Sequence, residues 1–90
     1  MRSQINPNRG EKARIRWTQA QSGPVTVSVY NLLGDQVLTL VDTLTYSAGQ
    51  YHELDWNGER SSGGAVGSGI YLLVFRTPGR KEIGKVAIIK

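Results

Sequence analysis

The fold class of this chain is indicated most clearly by one stretch, Val25-Thr26-Val27-Ser28-Val29-Tyr30-Asn31-Leu32-Leu33-Gly34-Asp35-Gln36-Val37. Apolar and polar residues alternate strictly over residues 25–30, which predicts a strand that buries one face. A short loop with Asn and Gly follows at residues 31–35, and a second strand is predicted over residues 36–41. The stretch therefore predicts a β-hairpin with Gly34 at a positive φ.

The rest of the chain alternates in the same way between strand-forming segments and turn residues. Further strands are predicted over residues 12–18, 51–56, 70–76 and 81–90, with a short edge pairing at 65–66. Turns are predicted at residues 19–24, 57–58, 61–64 and 77–80, and a longer connection at 42–50. Because the strand over residues 70–76 is apolar on both faces, we expect it to lie mid-sheet or to be covered on both sides. Leu32 and Leu33 lie in the hairpin loop, and we expect them to tuck under one end of the core.

Six or seven short strands with no helical period predict an all-β fold, an immunoglobulin-like β-sandwich of about seven antiparallel strands. We place this domain at residues 11–90. Residues 1–10 carry turn formers without an apolar period, and they are predicted to be a linker or lead-in.

One local pattern supports the sandwich. In Gly69-Ile70-Tyr71-Leu72-Leu73, a tyrosine stands near the start of a central strand. Immunoglobulin domains use such a tyrosine to hydrogen-bond back to an upstream backbone group. Leu73 would then occupy the core position, with one of the two tryptophans beside it. The alternative is an ordinary tyrosine whose hydroxyl lies in water.

Composition excludes several classes of site. The 90 residues include no cysteine and one histidine, so disulfides, thiolate zinc sites, cysteine nucleophiles and histidine metal clusters are excluded. No apolar stretch approaches the roughly 20 residues that span a bilayer. The N-terminus lacks the apolar region of a signal peptide. The protein is therefore expected to be cytoplasmic, or else a module of a longer secreted chain.

Charge is segregated along the chain, whose formal net charge is +4: both ends are basic and the centre is acidic. If the first and last strands lie together, they form one positive stripe of Lys12, Arg14, Arg16, Lys81 and Lys85. Such a stripe attracts nucleic acid, anionic lipopolysaccharide or an acidic partner. Edge lysines also prevent sheets from pairing edge to edge, and we favour that role. No aromatic residues interleave with the stripe, so nucleic acid is not an expected partner.

Residues able to carry chemistry are few. Glu53 and Asp55 share one strand face, but a solvated pair of this kind is ordinary surface. Residues 55–59 place oxygen ligands at alternate positions, yet they lack the full calcium-loop spacing. His52 and Ser68 have no recognisable partner, and the glycine-rich residues 63–69 lack a phosphate-binding lysine and a following helix. We expect no catalytic, cofactor-binding or metal-binding residues.

Five aromatic residues are candidates for a flat platform that stacks on sugar rings: Trp17, Trp56, Tyr30, Tyr46 and Tyr51. The alternation of their strands assigns Trp17 and Trp56 to the apolar faces, so we expect both tryptophans to pack in the core. The three tyrosines remain candidates for surface contacts.

One ordered set of motifs runs through the chain: the opening Asn6-Pro7, residues 25–37, Trp56-Asn57-Gly58, Ser68-Gly69-Ile70-Tyr71 and the closing Lys85-Val86-Ala87-Ile88-Ile89-Lys90. This set resembles the immunoglobulin-like C-terminal domain of bacterial secreted proteins. Two related families share this pattern: the type A sorting domain of type IX secretion, and the domain of the flagellar hook-capping protein FlgD. Asn57 departs from the Asp that is usual there, and Asn8 from the Phe that often follows Asn-Pro.

The resemblance implies a non-catalytic module at the end of an exported protein that delivers its parent to the cell surface. It associates recognition with the closing strand, Lys85, Val86, Ala87, Ile88, Ile89 and Lys90, and a free strand edge can be read by strand addition. The implied partners are secretion machinery or outer-membrane components, with a parent catalytic or adhesive domain upstream and anionic lipopolysaccharide as a candidate. No cofactor is implied. A structural immunoglobulin-like module, in a hook cap or as a spacer, is the alternative, and a carbohydrate-binding accessory module is a weaker one.

Overall fold

The computed structural model describes residues 4–90, and its seven strands form two packed sheets. The strands are β1 (Gln4–Ile5), β2 (Ala13–Trp17), β3 (Gly23–Asn31), β4 (Gln36–Tyr46), β5 (His52–Trp56), β6 (Gly69–Thr77) and β7 (Arg80–Ile88). The larger sheet has the order β1-β7-β6-β3-β4, and β2 pairs with β5 in the smaller one. The predicted sandwich is confirmed. One detail of it is wrong, because β1 runs parallel to β7, whereas all the other strand pairs are antiparallel.

The core lies between the sheets and is built from alternate residues, as the sequence pattern requires. Val25, Val27 and Val29 of β3 are fully buried, and so is Trp56 at the end of β5. β6 lies in the middle of the larger sheet, as predicted. Its inward face is buried at Tyr71 and Leu73, whereas Ile70 at the start of the outer face is 41% exposed.

The predicted tyrosine contact is present. The Tyr71 hydroxyl donates to the carbonyl oxygen of Gly67 at 2.8 Å, and the Tyr71 ring packs edge-on against Trp56 with centroids 5.7 Å apart. Leu73 is buried in the same cluster. This bond fixes the loop that enters β6 against the strand itself, so the polar end of a buried ring has its partner.

The described part of the predicted lead-in, residues 4–10, belongs to the folded domain, so the lead-in predicted over residues 1–10 does not extend through these residues. Ile5 is fully buried in the core, and β1 pairs with β7. Asn6 caps a short 3-10 turn (Pro7–Arg9), where its side-chain oxygen accepts from the Asn8 N–H at 3.0 Å. Pro7 packs against Gly58, which has a φ of 85°. The first three residues of the predicted lead-in lie outside the described residues.

β4 is longer than predicted, because residues 42–46 continue the strand instead of opening a connection. Its pairing with β3 shifts between Val25↔Leu44 and Val27↔Val41, which places one extra residue in β4 as a bulge. Thr43 in this bulge has a φ of 56°, a strained value for a β-branched residue. The bulge interrupts the alternation of apolar residues, and the sequence pattern therefore hides the strand. β3 also begins earlier than predicted, since the turn predicted to end at Pro24 ends before Gly23.

The hairpin loop is present, with Gly34 at a φ of 90°, but its leucines do not tuck under the core. Leu32 and Leu33 are 65% and 88% exposed, which corrects the prediction. The reason is the closure of the loop on itself: the side-chain oxygen of Asn31 accepts from the backbone N–H groups of Leu33 and Asp35 at 3.0 and 2.9 Å. A loop tied this tightly cannot fold its side chains back over the end of the sandwich.

The burial of Ile5 gives a matched test of the N-terminal boundary. Ile5→Ala should lower the free energy of unfolding by roughly 2–5 kcal/mol, because it leaves a cavity in the core. Ile89→Ala changes the same side chain at a position that is 46% exposed, and should cost about 1 kcal/mol or less. Urea unfolding followed by tryptophan fluorescence measures both. Equal losses for the two variants would contradict the placement of Ile5 in the core.

Candidate functional site

The closing segment singled out in the sequence, residues 85–90, is partly core and partly surface. Val86 and Ile88 are buried, with 0% and 1% exposure, and Ala87 is half-buried. The side chains of Lys85, Ile89 and Lys90 are exposed. The structure therefore leaves three of the six side chains accessible to a partner, and one further side chain is reachable in part.

Both flanks of the strand end are paired, so a free strand edge does not extend over all of residues 85–90. On one flank β6 pairs with β7 through Gly69↔Ile88. On the other flank β1 pairs with Ala87 and Ile88, and the Ile89 N–H donates to the Ile5 carbonyl oxygen at 2.9 Å. The Lys90 N–H donates to Ser68 Oγ at 3.2 Å. On the flank of β7 that β1 occupies, the part of β7 before Ala87 has no strand partner among the described residues.

The predicted positive stripe is not formed. β2 lies in the smaller sheet and β7 in the larger one, so their outward side chains lie on opposite outer faces of the sandwich. On β2, Arg14 bonds Asp55 at 2.9 Å and Arg16 lies 3.4 Å from Glu53. The carboxylates of β5 therefore largely neutralise the charges of these two arginines. Lys81 and Lys85 of β7 remain as a separate positive surface.

Glu53 and Asp55, the carboxylate pair considered as an acid–base site, lie on an exposed face of β5. Each forms an ion pair with an arginine of the neighbouring strand β2. Asp55 accepts from Arg14 Nε at 2.9 Å and from Nη2 at 3.4 Å. The hydrogen bond from Arg14 lowers the pKa of Asp55, and the positive charges of Arg14, Lys12 and Arg16 act in the same direction. The same hydrogen bond raises the pKa of Arg14. Arg14 and Asp55 are thus held in their charged forms, whereas a general acid needs a raised carboxyl pKa.

The remaining polar candidates have local structural partners. The Asn57 side chain bonds the backbone N–H and the carboxylate of Glu59, which closes the turn after β5. His52 Nε2 lies 2.8 Å from the Ser47 carbonyl oxygen. Over residues 4–90, no group of three or more His, Cys, Asp or Glu side chains is arranged to hold a metal ion. The same residues contain no helix long and apolar enough to span a bilayer.

Both tryptophans make edge-to-face contacts with other aromatic rings. Trp17 meets Tyr46 and Phe75 with centroids 5.2 and 4.9 Å apart and interplanar angles of 63° and 71°. Trp56 is fully buried, as predicted. Trp17 is only half-buried, and its Nε1 donates to Gln19 Oε1 at 3.0 Å. Stacking on a sugar needs an exposed ring face, which the buried Trp56 does not offer.

Gln19 is a structural residue that the sequence reasoning missed. It is 7% exposed, and besides receiving the Trp17 bond it donates through Nε2 to the carbonyl oxygens of Gln21 and Tyr46 at 2.8 and 3.1 Å. It therefore ties the loop after β2 to the end of β4. A polar residue in a predicted turn carries no signal of burial, and the contact that joins Gln19 to the other sheet is with Tyr46, 27 residues away in the sequence.

The fold resembles domains of two solved proteins of Porphyromonas gingivalis. Dimeric latent PorU matches with a TM-score of 0.64 and 23% identity, over 88% of this chain and 8% of PorU. PorZ, an essential surface component of the type IX secretion system, matches with a TM-score of 0.64 and 20% identity, over 98% of this chain and 11% of PorZ. The chain thus spans a small part of either protein, and identities this low show the fold alone. No family model matches the chain, and no curated protein matches it by sequence.

The Arg14–Asp55 contact predicts the direction of a titration. A carboxyl whose pKa is lowered in the folded state stabilises the fold above its unfolded pKa, and loses that contribution as the pH falls through the folded pKa. Arg14→Gln should therefore raise the pKa of Asp55 toward its ordinary value, measured by NMR titration of the side-chain carboxyl carbon. Arg76→Gln, on the outer face of the other sheet, is the matched control and should leave this titration in place. An unchanged Asp55 midpoint in Arg14→Gln would contradict the assignment.

Proposed function

We propose that this chain is a non-catalytic sorting or anchoring domain that directs an exported parent protein through the type IX secretion system to the cell surface. The support comes from the motif resemblance described above and from the shared fold with PorZ, which is itself a surface component of that system. In this proposal the protein is secreted or displayed at the surface as part of a longer polypeptide. Its partners are secretion machinery or outer-membrane components.

The observation that carries the proposal is the division of the closing segment into two sets of side chains. Val86 and Ile88 anchor the segment in the core, while Lys85 and Ile89 lie on the surface. A partner can therefore read the segment only as part of a folded sheet. Recognition of this kind would let the machinery distinguish a folded domain from an unfolded chain, since the spacing of the exposed side chains depends on the pleat.

The surface chemistry of the segment suits an anionic partner that also offers apolar contacts. Lys85 and Lys90 are exposed and have no ion-pair partner among the described residues, and Ile89 is 46% exposed between them in sequence. Acidic side chains of a receptor or the anionic groups of lipopolysaccharide would complement the lysines. The isoleucine would contribute apolar area.

The proposal is tested by export of a reporter fused to residues 1–90 in a host with type IX secretion. Deleting residues 85–90 should stop export, but this deletion also removes Val86 and Ile88 from the core. The sharper variant is therefore the double change Lys85→Glu and Ile89→Ser, which alters the exposed side chains alone. We expect it to reduce surface delivery roughly tenfold or more, which corresponds to about 1.4 kcal/mol of lost recognition.

The matched control is the double change Arg60→Glu and Leu33→Ser, which alters the same kinds of exposed side chain on the loops after β5 and β3. It should leave export unchanged. Thermal unfolding of the purified chains shows whether each variant is folded. Unchanged export of the truncated fusion, or of a folded Lys85→Glu and Ile89→Ser variant, would overturn the sorting role and favour a structural module. Turnover of a substrate by the purified chain would overturn the non-catalytic assignment.

A further inference from the structure

We propose that the free edge of β7, from Lys81 to Lys85, is a strand-addition site for an extended acidic segment of a partner protein. The added strand would place acidic side chains beside the two lysines and apolar side chains in the cleft between β7 and β2. Lys85 belongs both to this edge and to the closing segment, but this inference does not depend on the sorting role, because peptide binding is a property of the isolated domain.

Alternate backbone groups of β7 point away from β6, toward the free side of the strand. The Ile89 N–H donates to Ile5 of β1, so it points away from β6. Backbone groups of successive residues in a strand point alternately to its two sides. The β6–β7 register has no interruption from Thr77↔Arg80 to Gly69↔Ile88. The N–H and C=O groups of Lys81, Ile83 and Lys85 therefore point to the same free side.

Another strand pairs with this free side of β7 at one end only. β1 pairs with Ala87 and Ile88, and no other strand of the described residues pairs with this flank of β7. The pairing of β1 shows that the edge accepts an added strand with ordinary hydrogen-bond geometry. A partner segment at Lys81–Lys85 would continue the sheet directly beside β1, in the way that extended peptides extend exposed sheet edges in other proteins.

A largely apolar cleft lies beside this edge, on the inward side of the sheet. A cavity of about 230 Å³ lies between β2 and β7, and its lining residues are Ile15, Arg16, Trp17, Leu73, Phe75, Glu82, Ile83 and Gly84. A second cavity of about 240 Å³ shares Trp17, Phe75 and Glu82 with it and extends to Pro78. Leu73 and Phe75 come from the inward face of β6, so the inward side chains of an added strand would meet an apolar floor. Gly84 has no side chain to obstruct them.

The outer face of the sheet beside this edge is positively charged. The side chains of Lys81 and Lys85 lie on the outer face of the sheet with Arg76, which pairs with Lys81 across the strands. None of the three has an ion-pair partner among residues 4–90. On the inward side of β7, Glu82 is paired with Arg80. A second copy of the domain would bring like charges together at this edge, and the lysines therefore disfavour self-pairing while they favour an acidic strand.

The test uses the 90-residue chain and three synthetic peptides of eight residues. One alternates Glu and Val, one alternates Lys and Val, and one has the composition of the first with its four Glu and four Val in separate blocks. We expect only the alternating Glu–Val peptide to bind by calorimetry. It should slow amide hydrogen exchange of Lys81, Ile83 and Lys85 at least about tenfold, because these N–H groups would become hydrogen-bonded. Binding should weaken as salt is raised.

Variants separate the backbone contribution from the charge contribution. Ile83→Pro removes an edge N–H without removing a bond to β6, and should abolish binding. Ile83→Thr keeps that N–H and should retain binding. Lys81→Gln with Lys85→Gln should weaken binding roughly tenfold, whereas Arg60→Gln on a distant loop should not. If Ile83→Pro fails to fold, a Glu–Val peptide N-methylated on alternate residues makes the same test on the unaltered protein.

The site would be overturned by equal binding of the Glu–Val and Lys–Val peptides, by protection at other amides, or by no binding at millimolar peptide. Equal binding of the alternating and block Glu peptides would show charge attraction without strand addition, and would also overturn it. None of these outcomes bears on export of the reporter fusion, so the two proposals fail separately.

Discussion

The structure depends on the pairing of β7 between β6 and β1. Nine residues of β7 pair with β6, and β1 closes the opposite flank at Ala87 and Ile88. This arrangement brings Ile5, Val86 and Ile88 into one buried cluster with Trp56 and Tyr71. Burying these apolar side chains is the main favourable contribution to folding, and a domain of this size has few to spare. The segments near the two ends of the described chain are therefore joined through the core.

This pairing constrains how the closing segment can be used. A strand whose alternate side chains fill the core cannot be withdrawn and read as a flexible tail without unfolding the domain. What a partner meets is the outer face and the free edge of β7, where the exposed groups are Lys81, Ile83 and Lys85. The proposed recognition of the closing segment and the proposed strand addition thus use the same rigid sheet at adjacent places.

The two free edges of the larger sheet differ in character. β4 carries the bulge at Thr43, which bends and twists the edge and makes it a poor template for pairing. β7 has a continuous register and carries lysines instead. Charge protects an edge against copies of itself but leaves it open to a strand of opposite charge, whereas a bulge blocks both. This difference supports β7, and not β4, as the place where a partner strand adds.

The sequence by itself determined most of the sheet-forming segments and their faces, because alternation requires only that one side of each strand be buried. It missed β1 and residues 42–46 of β4. It located β3, β5 and the Tyr71 contact, whose Gly67 partner is four residues away. It did not reveal the burial of Ile5, the exposure of Leu32 and Leu33, or the separation of Arg14 from Lys81 on opposite faces. Those depend on which strands become neighbours, and that is decided by contacts between residues far apart in the chain. Local patterns indicate that a strand has a buried face. Only the tertiary structure determines what covers that face and which strand edge is left unpaired.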